Sequence, residues 1–155
     1  MENAKQKIVV SGKEFIIDPV YSEQDTPVPE SAAIEIPPVP AGPTVSAPLG
    51  RLYAARSGDK GGNANLGIWG KTPESYAFLK AFLTVEKLKQ LLTDMAEYDI
   101  ERYELPNLFA LNFYVKGVLG DGVSASLRMD PQAKTLGEYL RAKVVDIPAS
   151  LLDKP

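Results

Sequence analysis

The sequence predicts an α+β domain, an antiparallel sheet with helices on one face, preceded by an extended proline-rich N-terminal arm. Three observations carry this prediction. Short apolar runs of strand type come in pairs separated by turn residues, as antiparallel hairpins require. Helical segments with caps interrupt those runs without alternating strictly with them, which argues against a doubly wound parallel sheet. Seven prolines between residues 22 and 48 exclude a helix there.

In chain order, Ile8-Val9-Val10 and Phe15-Ile16-Ile17 read as two strands joined through Ser11-Gly12, a hairpin spanning an N-terminal region 1–21. An isolated hairpin is marginal in water, so it needs a surface to dock on. Residues 22–49 read as a Pro-rich linker, because proline fixes φ, removes a donor and keeps the preceding residue extended. A solvated tether and a groove-binding Pro-rich peptide both fit this composition.

The compact domain is expected over residues 50–150, with 151–155 as a tail. Residues 51–56 and 65–69 read as strands flanking a glycine-rich loop. Thr72-Pro73-Glu74 has the form of a helix start, with Thr as N-cap and Pro at the first helical position, and the helix is expected to reach about Phe82. Thr84 reads as a second N-cap. Val85, Leu88, Leu91, Leu92 and Met95 then recur at helical spacing, predicting an amphipathic helix to about Tyr98. Strands follow at 100–105 and 108–116, a Gly-rich turn at 117–122, and a further strand at 123–128. Asp130-Pro131 reads as N-cap and first residue of a last helix whose buried face is Leu136, Tyr139 and Leu140, and Val144-Val145-Asp146-Ile147 as the final strand.

Composition narrows the chemistry. The chain has 155 residues, 45% of them hydrophobic, enough for one core. Residues 1–50 carry seven acids and three lysines, leaving thirteen acids against fourteen bases in the remainder. The domain is therefore near neutral, which argues against a phosphate footprint for nucleic acid and against a polybasic membrane patch. With no histidine and no cysteine, imidazole bases, thiol nucleophiles, disulfides and thiolate metal sites are excluded. No run approaches the roughly 20 apolar residues of a membrane span, and the Met-Glu-Asn start lacks the basic and apolar segments of a leader. The expected location is the cytoplasm.

The candidate site is the stretch Arg56-Ser57-Gly58-Asp59-Lys60-Gly61-Gly62-Asn63-Ala64-Asn65. Glycines allow backbone N–H groups to converge on an anion, while Asp59, Lys60, Asn63 and Asn65 add an acceptor, a cation and two amides. Asp59 and Lys60 are the candidate catalytic pair, a general base and an oxyanion stabiliser. The competing reading is a plain hairpin loop in which Asp59 and the asparagines bond the backbone. The spacing is not that of a Walker loop, and no full ligand set for a metal is present. Arg102 and Glu104 share one strand face, suited to a cleft or to a surface ion pair. Asn112 interrupts an apolar strand and needs a partner for its amide. Arg128 is a candidate for an anion site.

Four blocks in this chain resemble the C-terminal domain of the acyclic terpene utilisation (AtuA-like) family: Ser-Gly-Asp-Lys-Gly at 57–61 with Asn65, Arg-Tyr-Glu-Leu-Pro at 102–106, Ala-Leu-Asn-Phe at 110–113 and Ser-Leu-Arg-Met-Asp at 126–130. The resemblance covers about the last hundred residues and implies a ferredoxin-like two-layer sandwich. It also implies a place in bacterial catabolism of branched or terpenoid acids, with a CoA thioester as candidate ligand and no cofactor identified. Members usually carry a much larger domain ahead of this one, so the expected partner is a larger AtuA-like protein on a separate chain, in a hetero- or homo-oligomer. Ala133 stands where the family pattern suggests glycine, a change expected to cost nothing at a helix start. Three functions remain in view: an auxiliary, non-catalytic subunit of a larger complex; an independent hydratase, lyase or isomerase using Asp59 and Lys60; and a structural module that self-assembles through its hairpin.

Overall fold

The computed structural model describes residues 6–17 and 34–152, and the chain divides into two compact units, residues 1–33 and 34–155. In the first, β1 (Gln6–Val10) and β2 (Lys13–Ile17) form the expected antiparallel hairpin, with Ile8 opposite Phe15. Ser11 and Gly12 both take positive φ, as a two-residue turn between twisted strands demands. The register gathers Ile8, Val10, Phe15 and Ile17 on one exposed face, while Lys7 and Glu14 pair at 2.6 Å on the other. Residues 18–33, which include positions 22–33 of the Pro-rich stretch, lie outside the described residues.

The second unit holds two antiparallel sheets. Strands β4 (Ala54–Lys60), β5 (Asn63–Trp69), β6 (Ile100–Leu105) and β7 (Ala110–Val115) form a four-stranded sheet in the order β4-β5-β7-β6. Strand β3 (Thr44–Pro48) pairs with β8 (Val144–Pro148) in a second, two-stranded sheet. Here the structure differs from the sequence reading, which placed residues 44–48 in the linker. Pro48 is tolerated because it closes a short strand with a single partner, and Ala47 and Leu49 are buried beside it. At the other end, α4 (Ala149–Leu152) runs into the expected tail and buries Leu151.

Helix α1 (Pro73–Phe82) starts as predicted. The Thr72 hydroxyl accepts from the Ser75 backbone N–H, and the Ser75 hydroxyl accepts from the Thr72 N–H, both at 3.2 Å, a reciprocal capping box. Helix α2 (Val85–Leu91) is capped by Thr84 but ends well before Tyr98; a 3-10 turn at Thr93–Met95 follows. The apolar periodicity survives this break because Leu92, as C-cap, and Met95, in the turn, both enter the same core as Leu88.

Two further expectations fail between residues 123 and 135. No strand forms at 123–128, because the backbone satisfies itself in successive turns: Gly122 N–H to Leu119 carbonyl, then Ala125 and Ser126 N–H to Gly122 carbonyl. Helix α3 spans Leu136–Arg141 and does not begin at Asp130. The Asp130 carboxylate instead closes a loop, accepting from Lys134 N–H, Thr135 N–H and the Thr135 hydroxyl at 2.7 to 2.9 Å. Ala133 is therefore no helix-start residue: it sits buried at φ 51°, a left-handed conformation that costs an L-residue about 1–2 kcal/mol. Tyr139 is 42% exposed with the Lys143 ammonium 3.9 Å above its ring; Leu136, Gly137 and Leu140 form the buried face of α3.

One core joins the helices to a single side of the four-stranded sheet. Ala64, Leu66 and Ile68 of β5 and Leu111, Phe113 and Val115 of β7 are buried against Tyr76, Leu79, Leu88 and Leu140. The residues between them, Asn65, Gly67, Asn112 and Tyr114, are half-buried on the opposite face. This is the α+β sandwich predicted from the sequence, with α1, α2 and α3 packed on one face of the sheet.

Candidate functional site

The glycine-rich stretch is not an open loop. Strands β4 and β5 run through it, pairing Gly58 with Asn65, Asp59 with Ala64 and Lys60 with Asn63, so only Gly61 and Gly62 turn. Gly61 takes φ +65°, the first-position requirement of a type II′ hairpin turn. Gly62 is needed for a different reason: a Cβ there would lie 2.1 Å from the Gly120 carbonyl oxygen, and the Gly62 carbonyl accepts from Leu119 N–H at 2.9 Å. A Cβ at Gly58 would lie 3.3 Å from the Lys134 ammonium nitrogen. These glycines serve the hairpin and its packing on the 117–122 turn, and the pairing directs backbone groups along the ladder, not toward a common anion.

Strand alternation then divides the candidates between two faces. Ser57 and Asp59 share the side of Leu66 and Ala64, toward the helices. Arg56, Gly58 and Lys60 share the other side with Asn63 and Asn65. Asp59 and Lys60 thus leave the strand in opposite directions, and the Lys60 ammonium donates to the Asp59 backbone carbonyl at 2.9 Å. The structure does not bring their charged groups to one reacting atom. Ser57 bridges to α3: its hydroxyl donates to Lys134 carbonyl at 3.2 Å and accepts from Gly137 N–H at 2.9 Å. Arg102 caps α1, its guanidinium donating to the carbonyls of Leu83 (3.1 Å) and Lys80 (2.8 Å) and to the Glu104 carboxylate (2.8 Å). Arg128 pairs with Asp94 at 3.0 Å, far along the chain from the hairpin.

Arg56, Asn63, Asn65 and Asn112 share the sheet face away from the helices. Reading across the strands, one row is Arg56, Gly67, Asn112 and Tyr103, and the next is Gly58, Asn65, Tyr114 and Glu101. The Asn65 amide donates to the Asn112 side-chain oxygen at 3.3 Å. Asn63 donates to the Tyr114 hydroxyl at 2.6 Å and accepts from Gly117 N–H at 2.7 Å, so it ties the end of β5 to the following turn. At the other end of this face the surface turns apolar. Trp69, Leu105, Leu108 and Ala110 surround a dent of about 330 Å³, with Gly67 leaving room for it and Asn112 at its margin. Trp69 is 36% and Leu108 66% exposed.

Charges on and beside β6 are paired. The Glu104 carboxyl is held below its usual range by the Lys80 hydrogen bond, desolvation acting against this and Arg102 adding to it. Lys116 does the same for Asp99 and Glu101, aided at Glu101 by the Tyr103 hydroxyl. Among the described residues no three His, Cys, Asp or Glu side chains are grouped to hold a metal ion, and no helix is long and apolar enough to cross a membrane.

Trp69, Tyr103, Leu105, Leu108 and Tyr114 were not singled out from the sequence. For all but Leu108, which lies in the 3-10 turn Pro106–Leu108, the signal is alternation with the buried positions of the strand. What assembles them is the pairing of β5 with β7 and β7 with β6.

A family model described as the AtuA ferredoxin-like domain matches residues 47–146. No curated protein and no solved structure matches the chain.

Proposed function

Since the chain belongs to the AtuA ferredoxin-like domain family, we propose that it is an auxiliary binding subunit, docking its uncovered sheet face on a larger AtuA-type protein carried on a separate chain. The setting would be the breakdown of branched or terpenoid organic acids as CoA thioesters. One observation carries the docking: α1, α2 and α3 pack on the opposite face, while exposed Trp69, Leu105 and Leu108 surround a dent edged by Asn112, with exposed Tyr103 opposite Asn112. Aromatic and aliphatic anchors with a polar margin are the anatomy of a protein interface. The opposed directions of Asp59 and Lys60 support binding over catalysis by that pair.

Trp69 is the single tryptophan of the chain, so its fluorescence reports directly on this face. Titration with a separately produced larger AtuA-type protein should shift Trp69 emission and saturate. Leu108→Glu, at an exposed position, should weaken binding by about tenfold or more without lowering Tm. An unchanged affinity for Leu108→Glu would sink the reading.

A second reading rests on the hairpin, whose Ile8, Val10, Phe15 and Ile17 are all exposed on one face. Pairing with another copy would cover them. Ile8→Glu with Phe15→Glu should then dissociate an oligomer seen by native mass spectrometry; an assembly of unchanged mass would count against it.

A further inference from the structure

A cavity of about 570 Å³ in the second unit is lined by none of the sheet-face residues. It lies among the turn at Thr93–Met95, the 126–135 loop and α3. Its size is that of a small-molecule pocket. Val118, Ala133 and Leu136 supply a buried apolar floor, and Arg128, Asp94 and Tyr139 stand at its wall.

The polar groups at this wall are unequal. The Asp130 carboxylate is occupied by Lys134 N–H, Thr135 N–H and the Thr135 hydroxyl, so it is a loop fastener with little capacity left. Asp94 is engaged by one nitrogen of Arg128, Nη2. Among the described residues this guanidinium bonds through Nη2, so Nε and Nη1 are the donors on offer. One guanidinium faces two carboxylates across this wall. A ligand carboxylate would gain Arg128 and be repelled by Asp94 and Asp130, whereas an uncharged carbonyl oxygen would accept the hydrogen bond without that repulsion. The left-handed Ala133 lies in the floor of the same cavity, and strained backbone of this kind collects at ligand sites.

We propose that this cavity binds an uncharged amphipathic carbonyl compound, an amide or ester with an apolar tail. Its carbonyl oxygen accepts from Arg128, and its tail lies on Val118, Ala133 and Leu136. The site is independent of the sheet face, so docking and ligand binding succeed or fail separately.

Hexanamide and hexanoate share a tail and differ in the charge of the head, which makes them the probes. With the full chain labelled for two-dimensional NMR, hexanamide should give saturable shifts at the amides of Val118, Met129, Ala133 and Leu136. Hexanoate should bind about tenfold more weakly or worse, and Arg128→Gln should weaken hexanamide by a similar factor. Asp94→Asn removes one repelling charge, so it should move the preference toward hexanoate. The last variant also decides the matter if Arg128→Gln does not fold. Absence of saturable shifts at these amides with either probe would overturn the proposal. So would hexanoate binding the unmodified chain as tightly as hexanamide, or a preference that Asp94→Asn leaves unmoved.

Discussion

The guanidinium of Arg102, on an edge strand, donates to the carbonyl of Leu83, the C-cap residue of α1, at 3.1 Å and reaches the Lys80 carbonyl one turn earlier at 2.8 Å. Helix C-termini leave carbonyls without intrahelical partners, and a cation there also meets the negative end of the helix dipole. Arg102 therefore fastens helix to sheet. Arg102→Ala should cost about 2 kcal/mol in urea denaturation with an unchanged m-value. Arg102→Lys should recover less than half, because an ammonium lacks the fork that spans both carbonyls and Glu104. A loss below about 0.5 kcal/mol in Arg102→Ala would show that the carbonyls find water equally well.

Ser57 and Gly137 fasten a helix at the opposite edge of the sheet. Thr135, the N-cap of α3, makes no side-chain cap bond, and Ser57 from β4 supplies the acceptor for Gly137 N–H. A Cβ on Gly137 would lie 3.3 Å from the Ala55 Cβ and 3.4 Å from the Arg56 nitrogen. Ser57→Ala should cost about 1 kcal/mol, as loss of a cap does, and Gly137→Ala about 1–3 kcal/mol through overpacking. The double variant should fall short of the sum, since both changes loosen the same contact. Denaturation midpoints of the three variants test this.

The paired glycines of the hairpin should respond differently to one methyl group. Gly61 has open space but positive φ, so Gly61→Ala should cost about 1 kcal/mol. Gly62 meets the Gly120 carbonyl oxygen, a backbone atom that cannot rotate away, so Gly62→Ala should cost about 3 kcal/mol. Equal losses in the two variants would mean that the 117–122 turn moves freely and does not brace the hairpin.

Acid should unfold this protein through its carboxylates. Asp99 and Glu101 are lowered by Lys116, and Glu104 by Lys80 and Arg102. At Asp130 desolvation, which would raise the value, is outweighed by hydrogen bonds from Thr135 and Lys134. Each folded value lies below its unfolded one, so the stability these groups contribute is present above the ordinary range near 4 and is lost as pH falls through the folded values. Tm should hold from neutral pH to about 5 and fall progressively below about 4. Asp130→Asn should melt lower at neutral pH yet show a shallower acid limb, by about one proton taken up on unfolding. A limb of unchanged slope would remove Asp130 from this account.

Features governed by local rules are readable before the chain folds. Thr72, Pro73 and Thr84 predicted two helix starts because capping involves residues three apart. Alternation predicted β6 and β7, and glycine-bounded runs the β4-β5 hairpin. Four spaced blocks carried the ferredoxin-like family. Arg56, Asn65 and Asn112 are legible as polar residues in strand-like runs, and Asn63 as a residue of the loop between two of them.

Tertiary structure decided the rest. Whether Asp59 and Lys60 act together depended on strand limits: extending β4 to Lys60 turned a loop into alternating positions and sent the two side chains to opposite faces. Residues 44–48 became a strand only because β8, about a hundred residues later, offered a partner. The run at 123–128 had strand composition but no neighbour to pair with, so its backbone closed on itself in turns. Ala133 shows the same limit from the other side. Its left-handed backbone lies inside the loop closed by the Asp130 clasp, and the cost is partly offset by burial of its methyl group, worth about 0.8 kcal/mol. Caps and periods are local, and a chain declares them. Pairing, facing and strain are set between segments distant in sequence, and only the folded arrangement chooses among them.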